Sequence, residues 1–297
     1  MAKEKVIVVG LGEVGRAIFD LLRESGHFAV YGFDVDKSKM SDIGQDSLPN
    51  KADVIHICIP CTSQEKFVNV VVDYAQQFKP KLVIINSTIP PGTTKSVSKR
   101  CNCLVADSPF RGVHESPEHM KWELKRWTKY IGGTTAEAGK ATDKHFRTVG
   151  LKTKVLKSCA ETELAKLFET TYRAWMISCF QEMHRISRHF KADFDEVVDF
   201  LADTHRGRFD RPIMFPGVIG RHCVIPNIEL LLETYDSKFL RLILESNKKR
   251  KEEMKYEQIQ EEVEKVKRIA EDLQQDLMNN TAKPSTRVLC RSTTKRL

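Results

Sequence analysis

The sequence predicts an α/β protein whose N-terminal part is a doubly wound parallel sheet, followed by a helical domain and a charged C-terminal helix. Short apolar or β-branched runs alternate with amphipathic stretches up to about residue 157, a spacing typical of strand–helix–strand units. From Cys159 the strand signal stops and helical periodicity replaces it. We therefore expect domains at 1–157 and 158–245, a helix over 246–280 and a disordered basic tail over 281–297.

Composition excludes several classes of protein. The chain has 297 residues, 41% hydrophobic and 30% charged, and its longest apolar runs are strand-length, so no membrane-spanning helix is expected. Met1–Lys5 leads directly into a strand, and eight cysteines suit a reducing compartment, which together predict a cytoplasmic protein. Residues 237–297 carry 15 basic and 10 acidic side chains against 33 and 30 before them, so nucleic-acid binding is not expected from the body.

The clearest motif is a glycine-rich turn between a strand and a helix. Val6–Val9 is a β-branched run, Gly10-Leu11-Gly12-Glu13-Val14-Gly15 follows at once, and Arg16–Ser25 is amphipathic. Gly10 permits a tight turn, Gly12 lets the backbone approach a pyrophosphate, and Gly15 lets the helix pack against the strand. This context predicts a dinucleotide-binding Rossmann domain, although a glycine turn that binds nothing has the same pattern.

The second strand, Phe28–Phe33, is followed by Asp34, which lies 19 residues beyond Gly15. An acid there accepts hydrogen bonds from the adenosine ribose and repels a 2′-phosphate, so the predicted cofactor is NAD rather than NADP. The residues predicted to bind it are Gly10, Gly12, Glu13, Val14, Gly15, Asp34, Pro60, Ser87 and Thr88. A four-thiolate metal site would need Cys58, Cys61, Cys101 and Cys103. Cys58 lies inside an apolar strand, so no metal site is predicted.

The rest of the chain divides into further strands and helices. Strands are predicted over Asp53–Ile59, Leu82–Asn86, Cys103–Ala106 and Lys154–Leu156, with helices over Ser63–Phe78 and Ala136–Val149. The helical domain is predicted to contain helices over Glu161–Phe190, Ala192–Ala202 and Ile228–Thr234, and one from Asp236 onward. Beyond it, apolar residues recur at alternating threes and fours from Tyr256 to Leu277, which favours a coiled-coil seam or a helix that folds back on the body.

Five pieces of sequence, in order, resemble the NAD-dependent nucleotide-sugar 6-dehydrogenases of the UDP-glucose and UDP-N-acetylmannosamine type. They are Gly10–Gly15, the segment Ser87-Thr88-Ile89-Pro90-Pro91-Gly92-Thr93-Thr94, Ser108-Pro109, Glu161–Glu182, and Pro216-Gly217-Val218-Ile219-Gly220-Arg221-His222-Cys223. The resemblance implies a nucleotide-sugar substrate whose primary alcohol is oxidised by NAD. It also implies a homodimer formed through the long helix.

The resemblance also implies catalytic residues. In that family the aldehyde is held as a cysteine thiohemiacetal and oxidised to a thioester, which is then hydrolysed. Cys223 matches the nucleophile, Lys166 matches the catalytic lysine, and Thr88 matches the threonine near the nicotinamide. Asn227 stands four residues after the cysteine, where the family usually has an aspartate.

Other departures from the family pattern raise alternatives. Thr170 replaces an asparagine, Phe110 and His114 replace two glutamates, and Arg221 replaces a glycine. The family continues into a second α/β domain that binds the nucleotide, whereas no strand-rich stretch follows Leu244 here. An impaired NAD-binding scaffold or sensor that recruits partners through its C-terminal helix is therefore an alternative, and a β-hydroxyacid dehydrogenase relative is another.

Overall fold

The structure, a computed structural model, describes residues 3–41, 47–112, 116–220 and 224–281, without the side chains of Pro117 and residues 276–281. It forms two compact units, one made of Met1–Thr171 with Cys223–Ser237 and the other of Tyr172–His222 with Lys238–Leu297. This division differs from the expected domain boundaries because the long helix that begins at Cys159 continues from the first unit into the second.

The first unit is built around a seven-stranded sheet in the order β2-β1-β3-β4-β5-β6-β7. All neighbouring strands are parallel except β5 and β6, which are antiparallel. The strands are β1 Lys5–Val9, β2 Ala29–Phe33, β3 Val54–Ile57, β4 Leu82–Ile85, β5 Leu104–Asp107, β6 Lys129–Gly133 and β7 Thr153–Val155. The predicted α/β class with a doubly wound, mostly parallel sheet is confirmed.

Helices cover both faces of the sheet because its central strands are apolar on both sides. They are α1 Glu13–Glu24, α2 Gln64–Phe78, α3 Thr93–Ser98, α4 Pro117–Arg126, α5 Ala136–Thr148, α6 Cys159–His189 and α8 Val224–Thr234, with a short 3-10 helix at Lys37–Met40. Val6 and Val8 face the cluster that contains Ile18 and Leu22 of α1, whereas Ile7 faces the opposite cluster. The period of two along β1 thus divides the core into two layers.

The elements α4 and β6 were not predicted from the sequence. In β6 the expected apolar run is interrupted by Lys129 and by two glycines. Both glycines are required by packing, since a Cβ at Gly132 would collide with the Thr162 hydroxyl and one at Gly133 with the Thr135 carbonyl oxygen. Close approach of α5 and α6 to this strand therefore removes the side chains by which a strand is recognised.

The second unit is helical and contains the remainder of α6, then α7 Phe194–Arg208, α9 Lys238–Glu253 and α10 Glu257–Thr281. Phe180, Phe194, Val198 and Val266 form its apolar centre. Beside them the fully buried Arg250 donates to the Gln181 carbonyl oxygen at 3.0 Å and to Nδ1 of His184 at 3.0 Å. This buried guanidinium ties α9 to α6. Within the described residues no helix combines the length and apolarity needed to cross a membrane.

The C-terminal region departs from the prediction of one charged helix over 246–280. The chain turns at Met254–Tyr256, so α9 and α10 are separate helices, and no Gly or Pro marks the turn. Four residues of the predicted seam, Ile259, Val263, Val266 and Leu273, are buried within the same unit, whereas Tyr256 is exposed, and α10 packs on α7. The fold-back interpretation of this seam therefore fits the structure. The predicted tail over 281–297 lies outside the described residues from position 282.

We expect Val266→Ala to destabilise the second unit by about 2 kcal/mol, because it leaves a cavity where Val266 is fully buried. Chemical denaturation followed by circular dichroism measures the change. The control is Gln274→Ala, an exposed position on the same helix, which should change the free energy of unfolding by less than about 0.5 kcal/mol. Equal stability of Val266→Ala and the parent protein would contradict the packing of α10 described above.

Candidate functional site

The predicted cofactor residues gather at the carboxyl ends of the parallel strands. The loop after β1 holds the glycine-rich turn, β2 ends before Asp34, β3 is followed by Pro60, and β4 by Ser87 and Thr88. Backbone hydrogen bonds keep these loops adjacent, including Gly10 N–H to the Phe33 carbonyl oxygen and Cys58 N–H to that of Val9, both at 2.8 Å. In open α/β sheets, ligands bind at this edge, next to the strand where the order reverses.

The glycine-rich turn has the local geometry that its sequence predicts. Gly10 has a φ of 86°, a left-handed conformation, and a Cβ there would strike the Cys58 carbonyl group. A Cβ at Gly15 would collide with the Gly10 carbonyl oxygen, so the helix approaches as closely as expected. Gly12, in contrast, has open space around its Cα. The surface above Gly12 can therefore be approached by a ligand, and the helix that starts at Glu13 has no side-chain cap there.

Asp34 is held with its carboxylate facing the glycine-rich turn. Its Oδ2 accepts a hydrogen bond from the Leu11 N–H at 2.6 Å, and its Oδ1 accepts one from the Asp36 N–H at 2.9 Å. Lys39 lies 3.8 Å from the same carboxylate. These contacts fix the acid beside the turn, as a ribose-binding role requires.

The remaining predicted cofactor residues differ in exposure. Glu13 and Pro60 are exposed, and Val14 and Thr88 are half-buried. Ser87 is buried, and its hydroxyl donates to the Ile59 carbonyl oxygen at 2.6 Å. Ser87 thus joins the loops after β3 and β4, whereas Thr88 is the member of the pair with an accessible side chain.

A residue that the sequence analysis missed, Glu163, connects this edge to α6. Its buried carboxylate accepts hydrogen bonds from the Gly92 N–H at 2.7 Å, the Thr94 N–H at 2.8 Å and the Thr94 hydroxyl at 2.6 Å. Glu163 therefore caps the start of α3 from another helix. The cap comes from a residue 69 positions away from Thr94, so local capping patterns give no signal for it.

Helix α6 brings the predicted Lys166 close to two positions where the sequence departs from the family pattern. Thr170 lies one turn after Lys166, and its hydroxyl oxygen accepts a hydrogen bond from the buried Asn227 amide at 3.0 Å. The same hydroxyl donates to the Leu167 carbonyl oxygen at 2.9 Å. The two departures therefore form one contact between α6 and α8, and neither member of the pair can carry a negative charge.

Lys166 lines a pocket of about 340 Å³ in the first unit, which also contains Arg111, Glu123, Trp127 and Lys129. A volume of this size is in the range of small-molecule sites. Phe110, at a position where the family has a glutamate, is only 2% exposed and belongs to the apolar core. Phe110 thus provides packing at this position and has no group that can transfer a proton.

Lys129 forms the buried side of this pocket and was also missed. Its ammonium donates to the carbonyl oxygens of Ser108 at 2.6 Å and Pro109 at 3.1 Å. Burial lowers the pKa of Lys129 to about 7, and the charge of Lys166 lowers it further, although Cys58 and Asp107 oppose the shift. Burial likewise raises the pKa of Asp107 well above its usual value.

A pair of buried histidines supports the neighbouring strand end. The Asn86 amide donates to Nδ1 of His56 at 3.2 Å, so Nε2 of His56 carries the proton and donates to Nε2 of His145 at 2.9 Å. Burial lowers the pKa of His56 well below its usual value and that of His145 to about 4. Both rings are therefore neutral, and we assign them a structural role beneath Asn86.

Cys223, the predicted nucleophile, lies outside the described residues, as do Arg221, His222 and His114. The described part of the predicted catalytic set is Thr88, Lys166 and Asn227.

Residues 160–249 match the central domain of the UDP-glucose/GDP-mannose dehydrogenase family. Over this segment the chain is similar to that central domain. The matched segment contains Lys166, Thr170 and Asn227, and the resemblance predicted from the motifs is confirmed.

Whole-chain comparisons agree with this assignment. The chain is 27% identical over 286 residues to the UDP-N-acetyl-D-mannosamine dehydrogenase of Methanocaldococcus jannaschii, covering 82% of this chain and 65% of that protein. The chain thus spans slightly less than two thirds of this relative's length. The structure of the UDP-D-ManNAc dehydrogenase from Pyrococcus horikoshii superposes with a TM-score of 0.69 at 22% identity, covering 83% of this chain and 68% of that one.

A second group of structures shares the fold. The 3-hydroxyisobutyrate dehydrogenase of Mycobacterium tuberculosis has a TM-score of 0.61 at 16% identity and covers 83% of this chain and 92% of its own. At such identity the likeness concerns the fold alone.

We expect Thr170→Val to destabilise the protein by about 1 to 3 kcal/mol, because it leaves the buried Asn227 amide without its acceptor. Thr170→Ser keeps a hydroxyl at the position and should lose less than half as much. Equilibrium unfolding of the two variants measures the difference. If Thr170→Val and Thr170→Ser prove equally destabilising, the Thr170–Asn227 hydrogen bond contributes nothing to the free energy of unfolding.

We expect Lys129→Met to change how stability depends on pH. The pKa of Lys129 falls from 10.5 to about 7 on folding, so between these values the unfolded chain binds a proton that the folded chain does not. Stability from this group therefore rises with pH, by about 2 kcal/mol between about pH 7.5 and about pH 9.5. The free energy of unfolding of wild type minus that of Lys129→Met should increase by this amount.

The matched control for the pH experiment is Lys140→Met, an exposed lysine on α5. Its difference from wild type should stay constant over the same pH range. A constant difference for Lys129→Met as well would show that Lys129 keeps an ordinary pKa in the folded protein.

Proposed function

We propose that this protein is an NAD-dependent oxidoreductase that oxidises the primary alcohol of a nucleotide sugar, of the UDP-sugar type, through a thiohemiacetal on Cys223. The observation that carries the proposal is the central-domain match over residues 160–249, which includes Lys166, Cys223 and Asn227. The first unit adds a dinucleotide-type turn with open space over Gly12 and a fixed acid at Asp34.

The residues of the first unit fit NAD. The cofactor's pyrophosphate would lie over Gly12 and the N-terminus of α1, where no side chain caps the helix. Asp34 would accept hydrogen bonds from the ribose hydroxyls, and Ser87 and Thr88 lie along the same edge. When bound, NAD supplies the hydride acceptor that the oxidation requires.

The chain's own groups then have distinct roles. The Lys166 ammonium would stabilise the alkoxide that develops at the substrate oxygen as its proton leaves. The Cys223 thiolate would add to the aldehyde carbon, which holds the intermediate for a second oxidation. Asn227 and Thr170 would orient substrate or water by hydrogen bonding, since their contact contains no group that takes up a proton at neutral pH.

One observation favours a second candidate function, an impaired NAD-binding scaffold or sensor. Phe110 is buried in the apolar core at a position where the family has a glutamate. Such a protein would bind NAD without turning over any sugar nucleotide. In that case partners would be recruited through the C-terminal helices.

Self-association through the helical unit is part of the proposal. The rings of Trp175 on α6 and Phe239 on α9 meet edge to face, with 6.1 Å between their centroids. Even so, Trp175 is 38% exposed and Phe239 is 69% exposed. Leu242, one turn after Phe239, is 58% exposed as well. Exposed apolar side chains grouped in this way support a homodimer interface. Ile259, Val263, Val266 and Leu273 of the α10 seam are buried within the helical unit and are not part of this proposed interface.

We expect wild type to reduce NAD in the presence of a UDP-sugar and Cys223→Ser to stop at the aldehyde with one NADH per sugar, because serine is a poorer nucleophile than a thiolate. Near-ultraviolet absorbance of NADH over a panel of UDP- and GDP-sugars gives the yield. Cys179→Ser, which changes an exposed cysteine on α6, is the control and should match wild type.

The outcomes separate the candidate functions. Full conversion to the acid by Cys223→Ser would remove Cys223 from the mechanism. Binding of NAD by wild type with no turnover on any sugar would support the scaffold.

A further inference from the structure

Two cysteines lie two residues apart at the amino end of β5. Cys101 and Cys103 flank Asn102, and both side chains are half-buried. They line a pocket of about 540 Å³ in the first unit, together with residues at the end of α2. The predicted cofactor residues follow the carboxyl ends of the parallel strands, so this pocket lies at the opposite edge of the sheet. Its chemistry is therefore separate from that of the proposed dehydrogenase site.

The backbone of this segment suits a bond between the two cysteines. Alternate side chains of an extended chain point to the same face, with about 6.6 Å between their Cα atoms. The chain bends at Asn102 and Cys103, which brings the two Cα atoms closer than in an extended strand and favours disulfide geometry. The end of the segment is fixed, since the Leu104 N–H donates to the Lys81 carbonyl oxygen at 3.0 Å.

The two thiols interact directly and differ in acidity. A hydrogen bond from the Cys103 thiol lowers the pKa of Cys101, and the charge of Arg100 lowers it as well, although burial opposes the shift. The same hydrogen bond raises the pKa of Cys103, and burial and the negative charge of Cys101 add to the rise. The pair therefore consists of one thiol that ionises readily and one that keeps its proton.

The charges around the pocket also favour a thiolate. Arg100 and Lys79 both line it, and none of its described lining residues is acidic. The Arg100 guanidinium donates to the Asn69 side-chain oxygen at 2.6 Å, which helps to fix its position. A partly exposed thiolate beside cations is the reactive form of cysteine, whereas a thiol deep in apolar surroundings is inert. Cys58 is of the second kind, since burial raises its pKa to about 12.

We propose that Cys101 and Cys103 form a redox-active dithiol that hydrogen peroxide oxidises to a disulfide. The Cys101 thiolate attacks one peroxide oxygen, the O–O bond breaks, and the leaving hydroxide takes up the proton that Cys101 lost. The sulfur of Cys103 then attacks the Cys101 sulfenic acid, so that the S–S bond forms, the S–O bond breaks, and water leaves with the Cys103 proton. The dithiol loses two electrons, and the peroxide is reduced to two molecules of water.

The test is treatment of the full chain with hydrogen peroxide, alkylation of the remaining thiols and mass spectrometry of the tryptic peptide Cys101–Arg111, which contains just these two cysteines. The peptide from wild type should lose two hydrogens and resist alkylation until dithiothreitol is added. Cys103→Ser should stop at the sulfenic acid of Cys101, which dimedone traps. Cys101→Ser should leave Cys103 reduced, because that thiol keeps its proton.

The first control compares cysteines within the wild-type chain. Cys101 should be oxidised at least about fivefold faster than Cys179, an exposed cysteine on α6, because a thiolate is the reacting species. In urea the ratio of the two rates should fall below about twofold, since the fold supplies the contacts of Cys101. This comparison needs no variant, so it stands even where a substitution destabilises β5.

The second control concerns the neighbouring charge. Arg100→Gln should slow oxidation of Cys101 by about threefold, because it removes a cation that stabilises the thiolate. Arg147→Gln removes an arginine on α5 that pairs with Asp143, and it should leave the rate unchanged.

The outcomes decide the inference without reference to the dehydrogenase proposal, because neither NAD nor sugar is present. A disulfide within the Cys101–Arg111 peptide, formed before Cys179 is modified, supports the dithiol. Oxidation of Cys101 to a sulfinic acid with no disulfide would overturn it. Equal rates for Cys101 and Cys179 in the folded chain would overturn it as well.

Discussion

The carboxylate of Glu163 is the interaction on which the arrangement of the site depends. It is buried on α6 and bonded to two backbone N–H groups and one hydroxyl at the start of α3. Thr88 lies in the segment between β4 and α3, and Lys166 lies three residues after Glu163 on α6. This cap therefore ties the segment after β4 to the helix that carries Lys166, and the hydrogen bonds that the carboxylate accepts compensate its burial.

A second buried polar group, the Lys129 amine, holds the segment that precedes Phe110 in the same way. The Lys129 amine donates to the carbonyl oxygens of Ser108 and Pro109. These two bonds hold the segment that directly precedes Phe110 and Arg111. Each polar group is costly to bury, so removing either Glu163 or Lys129 should alter the loop it holds more than the sheet itself.

The sequence predicted the elements whose signals are local and missed those whose causes are distant. The strand ends and the glycine turn followed from β-branched runs and from Gly10 and Gly15. Strand β6 was missed because Gly132 is required by contact with Thr162, a residue on α6. The importance of Glu163 and of Lys129 depends on residues brought together only by the fold. The positions of Thr88 and Lys166 were predicted from motifs, whereas their supports could not be.

The contact between Thr170 and Asn227 bears on the two oxidation steps of the proposed mechanism. Each residue alone is a departure from the family pattern, but in the structure the Asn227 amide donates to the Thr170 hydroxyl, which in turn donates to the Leu167 carbonyl oxygen. A neutral pair can position a hydroxyl or a water, and it cannot draw a proton from one as a carboxylate does. In the proposed mechanism, hydride removal needs alkoxide stabilisation, which Lys166 would supply, whereas thioester hydrolysis needs an activated water. The substitutions therefore fall on the second step, and release of the acid is the step we infer to be slowed most.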